Sequence, residues 1–119
     1  MSVRVIGFIP PVVGVDGVFN TFRLGGFYAK HLLPDETVYL LDERMKIVFG
    51  RAKVISVTVG PLLDMCDEFG HENHTELGSY PFDAPSGLMK TILKIYGPHI
   101  AKPTSKTTVI KLERIAWQK

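Results

Sequence analysis

The sequence predicts one α+β domain over residues 1–119, built from five or six short strands and two or three short helices. Three observations predict it. A chain of 119 residues holds one core and has no room for a second. Hydrophobic residues make up 45% and charged residues 22%, ordinary globular proportions that exclude disordered, collagen-like and coiled-coil designs. Apolar residues alternate in twos over much of the chain and take helical spacing only in short stretches.

Each element has its own signal. Val3-Arg4-Val5-Ile6-Gly7-Phe8 suits a buried first strand, followed by the stiff Pro10-Pro11 pair. Gly14 to Gly17 is turn-rich, and Phe19 to Leu24 forms a second strand that Gly25-Gly26 ends. Phe27 to Leu33 gives a turn or two of helix, stopped before Pro34. Thr37 to Leu41 is a strand, and Asp42-Glu43-Arg44 a tight turn. Lys46 to Val59 continues as one long strand, or as two joined by a bulge at Gly50. Pro61 opens a short helix with Leu62, Leu63, Met65, Cys66 and Phe69 apolar, and Gly70 ends it. A polar loop runs to Pro85; Ser86 caps a helix from Gly87 to Tyr96, and Thr107 to Trp117 closes the chain as a strand.

Several functions drop out early. Cys66 is alone, so this chain builds no internal disulfide and no cysteine-based metal site. A reducing, cytoplasmic setting fits that usage. The apolar stretch at the N-terminus is broken by Pro10-Pro11 and lacks a small-residue cleavage site, so it reads as a strand rather than a signal peptide. No run approaches the length needed to span a bilayer as a helix, and no membrane partner is expected. His71 and His74 are spaced i, i+3 in a loop, where a zincin motif needs i, i+4 on a helix, so no metal site is expected. No phosphate loop or nucleophile elbow is present, and no cofactor is called for. Cys66 lies on the apolar face of its helix, where a buried thiol is inert.

Charge is uneven. Residues 61–89 carry six acids and no Lys or Arg, whereas residues 90–119 carry seven basic side chains against Glu113 alone; the whole chain is +2. That pattern suits a basic binding face or an acidic segment lying against a basic one. Thr21-Phe22-Arg23 sharpens the first option. Alternation places the Thr21 hydroxyl and the Arg23 fork on one strand face, opposite Phe22. Together they can grip a phosphate or the polar edge of a base; an ordinary exposed strand face is the plainer alternative.

The order of elements carries a resemblance. A Thr-x-Arg strand leads into a short helix and Leu33-Pro34-Asp35-Glu36-Thr37-Val38-Tyr39-Leu40. A hairpin holding Gly50-Arg51-Ala52-Lys53-Val54-Ile55-Ser56-Val57 comes next, then an acidic loop, the Leu88 to Tyr96 helix and a last strand. Over about residues 3 to 115 this resembles the ASCH domain, a branch of the PUA-like superfamily. The resemblance implies a small PUA-like mixed β-barrel of five to six strands with two or three short flanking helices. It implies RNA or nucleotide binding in a cleft at the barrel mouth. Some small members are amidohydrolases that deacetylate acetylated cytidine with a Lys, a Thr and a Glu. Carried over by position, the Thr falls on Thr21, the neighbouring Arg on Arg23 and the Glu on Glu76, with Glu72 as the second choice. The Lys falls on Val18, which can act as neither base nor nucleophile; that argues against amidohydrolase activity.

Three readings follow. The leading one is an RNA or nucleotide-binding module in which Arg23, Lys30, Lys53 and Lys90 meet phosphate, while Thr21 and Glu76 face base or sugar. The second is an amidohydrolase with Glu76 and Thr21 catalytic. The third is a protein-interaction module whose acidic segment docks a basic partner. The sequence leaves the oligomeric state open.

Overall fold

The computed structural model describes residues 4–8, 15, 17–69, 102 and 104–115. The expected elements that lie here all form: β1 (Arg4–Phe8), β2 (Val18–Leu24), α1 (Phe27–His31), β3 (Thr37–Asp42), β4 (Ile47–Pro61), α2 (Leu62–Phe69) and β5 (Lys106–Ile115). The expected helix over 87–96 and the loop over 70–85 lie outside the described residues. No described helix is long and apolar enough to cross a membrane.

The five strands make one sheet in the order β1-β3-β4-β5-β2. β1 and β3 are parallel; every other neighbouring pair is antiparallel. The sheet curls into a half-barrel, and two irregularities help it bend. Leu40 faces Gly50 and Leu41 faces Val48, so Phe49 is the extra residue, one place from the bulge expected at Gly50. A second shift falls between Val54 and Ser56, against β5.

Apolar side chains fill both faces. Ile6, Phe8, Phe19, Val38, Leu40, Ala52, Val54, Ile110 and Leu112 line the concave side, closed by Tyr28 of α1 and Leu32 just after it. Phe22 and Val109 point the other way and pack under Leu62, Met65 and Cys66 of α2. Burying each large side chain contributes about 1.5–3 kcal/mol. This double cover explains β5. Thr107 to Ile110 are all buried, because successive residues face the concave core and α2 in turn. Asn20, on the α2 side, donates from Nδ2 to the Phe69 carbonyl at 2.9 Å and so satisfies one helix-end acceptor.

Candidate functional site

β2 supplies the first two site residues. Phe19 belongs to the concave core, so Thr21 and Arg23 share its face by alternation, and Phe22 takes the other. The exposed-face alternative is overturned: Thr21 is 0% exposed. Its Oγ1 accepts a 2.9 Å hydrogen bond from Arg23 Nη1, which also donates to the Phe22 carbonyl at 3.1 Å. Arg23 Nη2 donates to the Gly7 carbonyl at 2.5 Å, and the guanidinium carbon lies 5.1 Å from the centre of the Phe8 ring. β1 and β2 are the two edges of the sheet, so Arg23 spans the seam that backbone pairing leaves open. Thr21 fixes the guanidinium's orientation.

β5 adds two residues that the sequence does not single out. Thr108 stands opposite Arg23 in the ladder, and its hydroxyl donates to the Gly25 carbonyl at 2.7 Å. Lys106 has the same strand parity as Thr108 and Ile110, which puts it on the concave face at the mouth. Its Nζ would lie 2.9 Å from a Cβ built on Gly26, so the amine sits directly over the Gly-Gly turn. Gly25, the other glycine of the turn, is needed for its φ of 86°. Arg23, Thr108 and Lys106 therefore converge where β2 turns into α1.

The other expected basic residues divide. Lys30 is exposed on α1, immediately beyond this turn. Lys53 is on the opposite side of the sheet: Ala52 and Val54 face the core, and Lys53 points outward to pair with Asp35 at 3.3 Å. The structure does not bring Lys53 together with Thr21 and Arg23. Val18 shares the face of Asn20 and Phe22, away from Thr21. Glu76, Glu72, Lys90, His71 and His74 lie outside the described residues. Among the described residues no group of His, Cys, Asp and Glu could hold a metal ion. Cys66 is fully buried; burial first, and the Asp67 charge second, push its thiol up to about 11.

A second arginine holds the opposite end of the half-barrel. Arg114 donates to the Val15 carbonyl at 2.9 Å and the Phe49 carbonyl at 3.1 Å, and sits 5.4 Å over the Phe49 ring. Phe8 and Phe49 meet edge to face at 6.0 Å, so a paired ring core lies between two guanidiniums.

No family model matches this sequence, and no curated protein matches it. Solved structures do. Hypothetical protein PH0355 superposes with a TM-score of 0.63 at 17% identity, covering 96% of this chain and 100% of its own. A mutant ASCH protein of Zymomonas mobilis gives a TM-score of 0.52 at 18% identity, over 94% of this chain and 71% of its own. A protein of Enterococcus faecalis from the family-model DUF984 gives 0.57 at 10% identity over 87% of this chain, which spans only 64% of that longer protein. At such identities the likeness speaks for the fold. The curled five-stranded sheet, the flanking helices and these superpositions together give this chain an ASCH-like fold, a small α+β half-barrel.

Proposed function

We propose that this chain binds RNA or a nucleotide at the mouth of the half-barrel, where β2 turns into α1, in the reducing setting its cysteine usage suits. One observation carries the reading. The fold sets Arg23, Lys106 and Thr108 on one concave face around the Gly25-Gly26 turn, with Lys30 just beyond. Cations beside polar groups and open backbone are what a phosphate needs. Lys106 and Lys30 meet phosphate. Arg23, tied by Thr21 and the Gly7 carbonyl, presents a fixed guanidinium edge. Thr21 is buried and serves as a positioning residue for Arg23. Lys53 takes no part, since it faces away. The likeness to ASCH structures supports a nucleic-acid or nucleotide ligand on fold analogy.

The test is an amide-shift titration of the full chain with single-stranded RNA, double-stranded RNA and cytidine nucleosides at two salt concentrations. Shifts should cluster on residues 21–26 and 106–108 and weaken as salt rises. Shifts from free nucleoside alone would move the reading toward modified-nucleoside chemistry. No shift with any ligand overturns it and leaves the protein-interaction reading.

A further inference from the structure

α1 has only five residues, yet it divides them sharply. Tyr28, joined by Leu32 just past the helix, turns inward onto the concave core. Phe27, Lys30 and His31, spaced i, i+3 and i+4, share the outward face, and all three are exposed. Phe27 is 63% exposed although it is a large apolar ring. It is nevertheless held firmly. Its centroid is 4.5 Å from that of His31 at 41°, and 5.4 Å from that of Tyr28 at 86°. A ring braced on two sides and left open to solvent presents a flat apolar surface.

Two cations flank that ring. Lys30 follows it by one turn on the same face, and the Lys106 amine lies over Gly26, the residue before it. Neither lysine has an ion-pair partner among the described residues. A braced aromatic between unpaired cations fits one ligand chemistry well: an unstacked base carried on a phosphate chain. A duplex offers no such base.

Resting on the RNA-binding reading, we propose that Phe27 stacks an unpaired base of single-stranded RNA while Lys30 and Lys106 hold the adjoining phosphates. α1 is then the platform that favours single strands over duplex. Stacking on an aromatic is nearly independent of salt, whereas the lysine contacts are not.

The experiment follows fluorescence anisotropy of a labelled single-stranded RNA on the full chain. Phe27→Ala should weaken binding about 5- to 150-fold with the salt slope unchanged. Phe27→Tyr should keep most of the affinity. Lys106→Ala should lower the magnitude of the salt slope by about 0.7. An oligonucleotide with abasic sites should bind wild type and Phe27→Ala alike. Phe27 is exposed, so unchanged melting of its variants will show the fold intact. If wild type binds the RNA and Phe27→Ala binds it equally, the platform is wrong and the broader reading stands. If wild type binds neither RNA nor nucleotide, both fall. Equal Phe27 dependence for duplex RNA overturns the stacking role. Self-association lost in Phe27→Ala, with RNA affinity unchanged, assigns the ring to a second copy of this chain and overturns the proposal.

Discussion

The two ends of the half-barrel use one device to different effect. At each, an arginine lies over a phenylalanine ring, Arg23 on Phe8 and Arg114 on Phe49, and donates to backbone carbonyls. Arg114 reaches carbonyls on two separate segments, at Val15 and Phe49, and fills the space that Gly50 leaves; a Cβ there would meet its guanidinium at 2.5 Å. Arg114 also anchors the chain entering β2, because its own N–H donates to the Gly17 carbonyl. That end is closed. Arg23 donates to a side-chain hydroxyl as well, and its neighbours are Thr108, the Gly25-Gly26 turn and the Lys106 amine. That end stays polar and basic. Ring-stacked arginine is therefore a structural plug at one end and, on the proposed reading, part of a binding mouth at the other, according to what surrounds it.

The largest expected effect tests the closed end. Arg114→Met should cost about 2–4 kcal/mol of stability in a urea melt, because it strands two carbonyls and removes charged hydrogen bonds. Ligand binding by the protein that remains folded should be unchanged. Arg23→Met strands the Gly7 and Phe22 carbonyls and the buried Thr21 hydroxyl, so it should cost a similar amount, and unlike Arg114→Met it should also reduce RNA binding measurably. If Arg23→Met leaves binding by the folded protein intact, the two ends do not differ in role.

Glycine substitutions sharpen the contrast. Gly50→Ala should lose about 1–2 kcal/mol, since the pinned guanidinium has nowhere to go. Gly26→Ala meets only the end of a flexible, exposed lysine, and should stay within about 0.5 kcal/mol. The same change should nonetheless disturb ligand binding, by displacing the Lys106 amine. Thermal melts beside anisotropy measure both effects.

A last effect appears only in alkali. Cys66, on the buried face of α2, belongs to neither end, and its thiol rises from 9.0 to about 11 on folding. The neutral thiol is the buried form. Its contribution is whole below the unfolded pKa and drains away as pH rises from about 9 to about 11. Cys66→Ala should flatten that part of the stability profile, read by urea melts across the window. Slow native labelling by a thiol reagent near neutral pH should accompany it.

Local signals made the elements legible. Gly25-Gly26 and Pro34 bound α1, and alternation marks the strands. The shared face of Thr21 and Arg23 was readable from parity alone. Register was not readable. Lys106 opens β5, one residue before the strand the pattern suggests, and only its pairing with Pro61 brings it to the mouth. Arg114 looks like a surface charge until β5 is known to be interior and opposite Ala52. Lys53 could be placed opposite Ala52 and Val54 on its own strand, but which side faced β2 depended on the curl of the whole sheet. Phe27 gave no signal, because the sequence does not say which side of a five-residue helix is covered.

The position of β5 has a consequence for how the chain assembles. β5 comes last in sequence yet sits between β4 and β2, and Thr21 finds its ladder partner only at Ile110. During synthesis the β2 ladder must wait until β5 has left the ribosome. Closing so long a loop before the β2 ladder can form makes this a slow-nucleating topology. The apolar Phe19 and Phe22 faces stay open to other chains in that interval, so yield during expression should depend on temperature and chaperone supply before it depends on the stability of the finished fold.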